Sequence, residues 1–361
     1  MASFEVCART VEIQEHPNAD SLEIGQVFGY QSVVGKGQFQ TGDVVIYLPE
    51  QSLLPDKLIK HVGLTGKLAG SKKNRIKAVR LRQVLSQGIC IGFEGLAELY
   101  PDKVMPPMTE GSDFQEYLEV EKWKPEIPAK FGGTWVNPEE DDVDLFVGYT
   151  DIENIKRFPN VFQEGEEVVA TEKAHGTCFM ASLINEHFYV SSKGVSHRKC
   201  AIIEEEGNVY WKAARQYELE EKMRILLQMY KYSESRILEI TIFGEVVGVQ
   251  DLKYGADSQN PHFYVFDIRI DGSYLDTDMV QRFCHALNLT TVPILYQGTS
   301  IAEALKFTDG LTVINGAKHI REGIVIRPAY ERFDSELRGR AILKSVSGDY
   351  LTRKGEVSEY E

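Results

Sequence analysis

Residues 171–177 read Thr-Glu-Lys-Ala-His-Gly-Thr, and they follow the apolar run Val-Val-Ala at 168–170. The apolar run predicts a buried strand that carries Lys173 at its end. The His-Gly bend lets the backbone approach a phosphate closely, because glycine has no side chain. A lysine in this position suits nucleophilic attack on a nucleotide, so Lys173 is our candidate catalytic residue. The alternative for this heptad alone is a solvated lysine beside a turn.

The bulk composition indicates a soluble globular protein of two domains. The chain has 361 residues, of which 43% are hydrophobic and 26% are charged, a length that exceeds one ordinary core. No apolar run reaches the roughly 18 residues that span a bilayer, and the first residues lack the apolar region of a signal peptide. Five scattered cysteines without a Cys-x-x-Cys pair favour neither disulfides nor zinc. We therefore expect an intracellular protein, cytoplasmic or nuclear, without a membrane partner.

Residues 1 to about 100 show short alternating runs separated by Gly, Pro and Asp, as at 23–28, 31–34 and 43–48, and the domain that they begin is predicted to span residues 1–130. This spacing predicts a small antiparallel β-barrel. The net charge of −14 argues against a protein that coats nucleic acid by bulk electrostatics. A local basic run nevertheless predicts contact with RNA phosphates, although a solvated basic hairpin is the alternative. The candidate RNA-binding residues are Lys72, Lys73, Arg75, Lys77, Arg80 and Arg82.

A linker is predicted to extend to about residue 150, and a second domain to occupy residues 151–361. Prolines at 101, 106, 107, 125, 128 and 138 and the pair Gly132-Gly133 are typical of linkers. The second domain mixes strands with two amphipathic helices, predicted at about 213–232 and 278–287. We expect an α+β fold for the chain as a whole.

Five further segments of the second domain place a charged or aromatic side chain beside glycine or within an apolar strand. A carboxylate inside a strand is costly unless it faces a cleft, a metal or a sugar hydroxyl, and a buried lysine needs an anionic partner. Edge-strand charges, an ordinary core aromatic and solvated lysines are the alternatives for each segment taken singly. The side chains concerned are Lys193, Glu245, Phe266, Glu322 and Lys344.

In their order along the chain, these segments resemble the motifs of covalent nucleotidyltransferases: Lys-x-His-Gly, Ser-Lys-Gly, Gly-Glu-x-x-Gly, Phe-Asp-Ile, Glu-Gly-Ile-Val-Ile and a terminal lysine strand. That superfamily comprises ATP-dependent RNA ligases, DNA ligases and capping guanylyltransferases, and the resemblance covers residues 151–352. The segment His16-Pro-Asn-Ala-Asp resembles the start of OB-type barrels. The resemblance therefore implies an N-terminal OB-like domain followed by an ATP-grasp-like nucleotidyltransferase domain of antiparallel sheets and helices. His175 stands where DNA ligases and capping enzymes typically carry Asp, and it makes the resemblance closest to nick-sealing RNA ligases. An OB-like module ahead of the transferase domain further resembles a branch of RNA ligases with that arrangement.

The resemblance also implies roles for individual residues. Lys173 would attack the α-phosphate of ATP and hold AMP as a phosphoramidate, Glu245 and Glu322 would organise Mg²⁺ or Mn²⁺, and Phe266 would stack on adenine. Further nucleotide contacts are implied for Glu172, His175, Gly176, Lys193 and Lys344. The AMP would pass to an RNA 5′-phosphate and a 3′-hydroxyl would displace it. The implied partner is RNA with these ends, in a nicked duplex, and we expect the protein to be a monomer.

Two positions depart from the family's pattern. The terminal motif usually holds two lysines one residue apart, but Ile342 precedes Lys344 here, and Arg340 is a possible substitute. Cys178 stands where nick-sealing RNA ligases often carry Asn. The alternatives are a DNA ligase, a GTP-dependent capping enzyme, or an RNA-binding protein whose transferase domain is no longer catalytic.

Overall fold

The computed structural model describes residues 4–123, 133–230 and 237–353. It contains two compact units, one formed by residues 1–125 with 348–361 and the other by residues 126–347. The domain boundaries predicted from the sequence, 1–130 and 151–361, stay a prediction, and residues 348–361 group with the first unit. Three predicted linker residues, Pro125, Pro128 and Gly132, lie outside the described residues.

The first unit is mainly antiparallel β-structure, and it confirms the strands predicted near residues 23, 31 and 43. The strand Tyr30–Gly35 shows why these segments form strands, because Tyr30, Ser32 and Val34 alternate inward with period two. The unit consists of β1 (Cys7–Thr10), β2 (Glu12–Glu15), β3 (Leu22–Val27), β4 (Tyr30–Gly35), β5 (Val44–Leu48), β6 (Ser52–Leu53), α1 (Asp56–His61), β7 (Val79–Leu81), β8 (Val84–Ser86), β9 (Ile89–Ile91), α2 (Leu96–Leu99), β10 (Glu121–Lys122) and the last helix, Gly348–Thr352.

Four small sheets organise these strands. The strand orders are β1-β5-β9, β2-β3-β4, β6-β10 and β7-β8. The turn that begins at His16 supports the tip of the β7–β8 hairpin. The Nε2 atom of His16 lies 3.2 Å from the carbonyl oxygen of Leu81, and the side-chain amide of Asn18 donates to the carbonyl of Arg82 at 2.9 Å. The His-Pro-Asn turn thus holds the backbone that carries Arg82.

The second unit contains two five-stranded sheets and most of the helices. Its elements are β11 (Trp135–Val136), β12 (Glu153–Asn154), β13 (Val168–Lys173), β14 (Gly176–Ile184), β15 (His187–Ser192), α3 (Lys193–Ser196), β16 (Ala201–Ile202), α4 (Val209–Gln216), α5 (Leu219–Tyr230), β17 (Glu239–Val247), β18 (His262–Ile270), β19 (Ser273–Tyr274), α6 (Thr277–Ala286), β20 (Ile294–Gly298), α7 (Ile301–Leu305), β21 (Gly323–Pro328), β22 (Phe333–Asp334), β23 (Gly339–Arg340) and β24 (Leu343–Val346). The C-terminal helix of the first unit is α8 (Gly348–Thr352).

The two large sheets bury different faces. The first sheet has the order β12-β24-β21-β13-β20, and its apolar face packs beneath α7 through Ala170, Ile324 and Ile326. The second sheet has the order β15-β14-β17-β18-β19, and one of its faces packs against α4, α5 and α6. Since strand side chains alternate, each sheet also has a second face, and these second faces carry the charged side chains discussed below.

The prediction of one continuous helix at about 213–232 is wrong, because the segment forms two helices, α4 and α5. Glu218 lies between them with a φ of 52°, in the left-handed region that an α-helix cannot continue through. Asn208 caps α4 by accepting from the N–H groups of Tyr210 and Trp211. The predicted residues 231 and 232 lie outside the described residues. The second predicted helix is confirmed as α6. None of the helices in the described ranges is long and apolar enough to cross a membrane.

Candidate active site

Lys173 ends β13 on the face of the first sheet that is opposite to α7. Lys173 pairs with Gly323 and Thr171 with Val325, which in turn pairs with Lys344 on β24. Residues two apart on a strand, and residues directly paired across strands, share a face. Lys173 and Lys344 therefore lie on the same face, and Lys344 is 3% exposed. The register brings together two lysines that are 171 positions apart in the sequence.

Glu245 occupies the corresponding face of the second sheet. It lies on β17 opposite Cys178 and Tyr264, whereas its neighbour Val246 points into the core beneath the helices. The strand alternation that buries Val246 thus directs the Glu245 carboxylate to the other side of the sheet. The charge of Lys173 acts on Glu245, so this carboxylate belongs to the same cluster as the candidate nucleophile.

The side chains around Lys173 form a direct contact chain. The ammonium of Lys173 forms an ion pair with Glu322 Oε1, and the Glu322 side chain is only 4% exposed. The other oxygen, Glu322 Oε2, lies 3.1 Å from His175 Nδ1. His175 Nε2 lies 2.8 Å from Asp251 Oδ1. Successive polar contacts thus connect Lys173, Glu322, His175 and Asp251, and Asp251 lies in the loop after β17.

The two carboxylates of the cluster have opposite pKa shifts. Burial raises the pKa of Glu245 to about 7, with Glu322 adding to the shift and Lys173 opposing it. Burial would also raise the pKa of Glu322, but Lys173 and the hydrogen bond with His175 outweigh it and lower the value to about 2. Glu322 is therefore ionised near neutral pH, whereas Glu245 changes charge there. Neighbouring acids whose pKa values are pushed apart are typical of catalytic sites.

The remaining lysine predicted for the site, Lys193, begins α3 directly after β15. Its ammonium lies 2.7 Å from Asp151 Oδ1. Burial lowers the pKa of Lys193, with the charge of Lys173 acting in the same direction. Cys178 is close to these groups, and burial raises the pKa of its thiol to about 12. Lys193 therefore supplies a further cation to the cluster, while Cys178 stays a neutral thiol.

Gly176 and Tyr254 hold the bend after Lys173 against β17. A side-chain carbon added at Gly176 would lie 2.1 Å from the carbonyl oxygen of Val246, so only glycine fits there. The backbone N–H of His175 donates to the Tyr254 hydroxyl at 2.9 Å. The side chain of Gln250 also donates to the carbonyl of Gly176. The glycine in the motif is thus required by close packing of two strands.

Phe266 lies where β18 shifts register against β17. Its ring is half-buried, with its centroid 4.9 Å from that of Tyr149. Its carbonyl accepts a hydrogen bond from Arg327 at 3.0 Å. The ring belongs to the same apolar cluster as Ala174, the residue between Lys173 and His175. This position is compatible with the predicted contact to a nucleobase.

Three predicted residues are placed differently from what their motifs suggest. Glu172 points away from Lys173 because neighbouring strand residues face opposite sides, and its carboxylate accepts from Thr312 Oγ1 and from the Val313 N–H. Arg340, the suggested substitute for a missing lysine, forms ion pairs with Asp267 and Glu331. Arg75 is 5% exposed and its guanidinium lies 4.0 Å from the ring of Trp123.

The basic run on the first unit is only partly exposed. Besides the buried Arg75, Lys77 donates to the carbonyl of Arg353 and Arg80 forms a 2.6 Å ion pair with Asp349. These two contacts tie the run to α8 and the residue after it. Lys72, Lys73, Arg80 and Arg82 are exposed, but the guanidinium of Arg80 is engaged by Asp349. The run is therefore not one continuous charged surface.

Three residues of the site, Asp151, Asp251 and Tyr254, were not predicted from the sequence. Asp251 and Tyr254 follow β17 within a few residues of the Gly-Glu-x-x-Gly motif, and this proximity was the available signal. Nothing near Asp151 in the sequence pointed to Lys193.

A cluster of three or more His, Cys, Asp or Glu side chains able to hold a metal is absent among the described ranges. Glu245 and Glu322 fit a hard cation such as Mg²⁺ or Mn²⁺, which commonly completes its shell with water and phosphate oxygens.

Comparison with known proteins gives matches over almost the whole chain. The RNA ligase family model matches residues 166–346, and an OB-fold domain model matches residues 5–93. A search of curated proteins finds no match. The structure of a Naegleria gruberi RNA ligase with pyrophosphate has 24% identity and a TM-score of 0.72, covering 97% of this chain and 98% of that one.

A single-residue variant of the same Naegleria gruberi ligase, solved with ATP and Mn, has 23% identity and a TM-score of 0.74 over the same shares of the two chains. These similarities show a shared fold. The prediction of an α+β chain with an OB-like module ahead of a transferase domain is thereby confirmed.

Proposed function

This chain belongs to the RNA ligase family, and from that premise we propose that it is an ATP-dependent RNA ligase that works through a covalent AMP on Lys173. The observation that carries the proposal is the cluster of Lys173, Glu322 and Glu245. These residues provide a nucleophile and two buried carboxylates with separated pKa values. The neighbouring Naegleria gruberi structures with ATP and Mn or with pyrophosphate support the choice of nucleotide.

We assign the first step to the amine of Lys173. Its Nζ attacks the α-phosphorus of ATP, an N–P bond forms, the bond to pyrophosphate breaks, and the nitrogen loses its proton. The ion pair with Glu322 stabilises the charged ammonium, which is not nucleophilic. A divalent cation held by Glu245 and Glu322 would take over their negative charge and favour the neutral amine. Lys344 and Lys193 supply positive charge for the phosphate oxygens in this assignment.

The later steps transfer the AMP to RNA. An oxygen of the RNA 5′-phosphate attacks the lysine-bound AMP and releases the lysine. A 3′-hydroxyl then attacks the activated 5′-phosphate, forming the phosphodiester and releasing AMP. We propose that both ends lie in a nicked RNA duplex and that the protein acts as a monomer. Phe266 stacks on the adenine, and the bend at His175 and Gly176 brings the backbone close to the nucleotide.

The first unit supplies RNA contacts in this proposal. Lys72, Lys73 and Arg82 are exposed cations of the basic run, as is Arg80, which forms an ion pair with Asp349. The hydrogen bonds from His16 and Asn18 fix the backbone at Leu81 and Arg82, which limits the entropy lost when a phosphate binds. We retain residues 1–130 as the RNA-binding domain and residues 151–361 as the adenylyltransferase domain.

Covalent labelling tests the proposal. Protein incubated with α-labelled ATP and Mg²⁺ or Mn²⁺ is expected to retain label after denaturing electrophoresis, and Lys173→Ala to lose it. Lys306→Ala is the matched control, since Lys306 pairs only with Glu303 on the surface in the contacts described for it and should stay labelled. Absence of label from protein shown by mass to carry no AMP beforehand would refute the covalent mechanism.

Substrate choice is tested with the same preparation. Nicked RNA duplex should be sealed faster than nicked DNA or single-stranded RNA, and ATP should label the protein where GTP does not. Preference for a DNA nick would favour the DNA ligase alternative, and labelling by GTP the capping alternative. Light scattering during size exclusion checks the expected monomer.

A further inference from the structure

The ring of His175 lies between two carboxylates that come from distant parts of the chain. The residue is 3% exposed. Its Nδ1 is 3.1 Å from Oε2 of Glu322, the residue directly before β21. Its Nε2 is 2.8 Å from Oδ1 of Asp251, in the loop after β17. The Asp251 side chain is 54% exposed, whereas that of Glu322 is 4% exposed. The buried ring therefore connects an acid at the surface to the acid that contacts Lys173.

These contacts restrain the ring and the buried carboxylate together. An ionised carboxylate only accepts hydrogen bonds, so each ring nitrogen acts as a donor. With both nitrogens engaged, the imidazole cannot rotate about its side-chain bond without losing a bond to a charged partner. The bond to Glu322 Oε2 leaves Oε1 directed at the ammonium of Lys173.

The backbone around His175 is held independently of Asp251. The His175 N–H donates to the Tyr254 hydroxyl at 2.9 Å, and the carbonyl of Tyr254 accepts from the Asn315 side chain at 2.8 Å. Tyr254 is completely buried. Loss of the Asp251 carboxylate should therefore leave the bend in place and release only the ring. This separation makes the role of Asp251 testable without disrupting the fold.

We propose that Asp251 is a positioning residue that acts through His175 to hold Glu322 in its place beside Lys173. The inference rests on the proposed adenylylation of Lys173. Residues that orient the direct partners of a metal or reacting group in this manner commonly affect activity by about 10- to 100-fold. Asp251 is thus assigned to the first chemical step, although it contacts neither Lys173 nor Glu322 in the hydrogen bonds described for it.

The test compares Asp251→Ala, Asp251→Asn and the control Asp257→Asn. Asp257 lies in the same loop, but its carboxylate accepts from the N–H groups of Gln259 and Asn260. Single-turnover labelling of Lys173 is measured against ATP concentration. We expect Asp251→Ala to lower the saturating rate by about 10- to 100-fold, with a half-saturating ATP concentration within about threefold of wild type, because Asp251 positions the reacting lysine's partner.

Asp251→Asn keeps an oxygen that can accept from His175 and should recover most of the rate, while Asp257→Asn should match wild type. A second readout follows the ring itself, by NMR of protein with ¹⁵N-labelled histidine in the absence of nucleotide and metal. The Nε2–H of His175, assigned with His175→Gln, should be protected from solvent exchange in wild type and in Asp251→Asn, and should exchange rapidly in Asp251→Ala.

The outcomes separate the inference from the proposed function. If wild-type protein takes no label, the proposed function fails, while the NMR comparison still tests the contact. If wild-type protein is labelled and Asp251→Ala reacts at the same saturating rate, the positioning role is wrong. Equal impairment of the Ala and Asn variants would also overturn it, because the hydrogen bond could not then be the cause.

Discussion

The substitution Arg340→Met should destabilise the second unit strongly, because Arg340 belongs to a buried ion network. Its guanidinium donates to Asp267 at 2.9 and 3.2 Å and lies 3.6 Å from the ring centroid of Tyr274. The Arg340 side chain is 11% exposed and that of Asp267 is 0% exposed. Burial would raise the pKa of Asp267, but Arg340 and Arg327 together hold it below its usual range.

The magnitude follows from what remains around Asp267 after the substitution. Removing one partner of a buried ion pair costs about 3–5 kcal/mol, because the other charge stays buried without compensation. Asp267 keeps the ion pair with Arg327 and the hydrogen bond from Tyr149. We therefore expect the lower end of the range, about 3 kcal/mol. Methionine fills similar space, so the cavity contribution is small.

The matched control is Arg282→Met on the surface of α6. Arg282 forms a 2.8 Å ion pair with Asp278, but these side chains are 71% and 67% exposed. The Arg340–Asp267 and Arg282–Asp278 pairs share chemistry and distance and differ in burial, while Arg340 has a second pair with Glu331. The exposed i,i+4 pair is worth about 0.3–0.5 kcal/mol.

Native-state hydrogen exchange of the β18 amides measures the result, since β18 carries Asp267. Arg340→Met should raise these exchange rates by about 100-fold, the equivalent of about 3 kcal/mol, and Arg282→Met by less than about threefold. If both variants changed exchange equally and weakly, burial would not be what makes the Arg340 contact important, and the reasoning would be refuted.

Two further predictions concern Glu245 and the basic run. The pKa of Glu245 is about 7 in the folded protein against a usual 4.5, so between these pH values the folded state binds one proton more than the unfolded state. Without metal, the free energy of unfolding should therefore fall by about 3 kcal/mol as pH rises from 4.5 through 7. Urea unfolding should show this fall in wild type and not in Glu245→Gln, and equal slopes of unfolding free energy against pH in the two proteins would contradict the prediction. In RNA-binding measurements at several salt concentrations, Lys72→Ala and Arg82→Ala should each reduce the slope of log affinity against log salt by about one. Lys36 is an exposed lysine outside the run, and Lys36→Ala should leave this slope unchanged. An unchanged slope in all three variants would show that the run does not contact RNA.

The sequence alone was sufficient to predict the family and the order of the two modules along the chain. The motifs around Lys173, Glu245 and Glu322 combine side-chain type with a neighbouring glycine or strand, and these are local properties that a sequence displays directly. The prediction of an RNA ligase is confirmed by the family match, and the prediction of the α+β fold with an OB-like module by the matches to both halves of the chain. The roles of individual site residues stay predictions for the labelling experiments.

The tertiary structure decided which side chains meet. His175 contacts Glu322 across 147 positions and Asp251 across 76, and no local pattern specifies either distance. Strand alternation turns Glu172 away from Lys173, but only the fold placed Thr312 and Val313 as its partners. Packing beside Trp123 likewise placed Arg75 inside a run that reads as surface charge. The physical reason is that periodicity and motifs are patterns formed by residues that are neighbours in the chain. Partners of buried charges depend instead on which strands pair and in what register, and only the folded chain establishes that pairing.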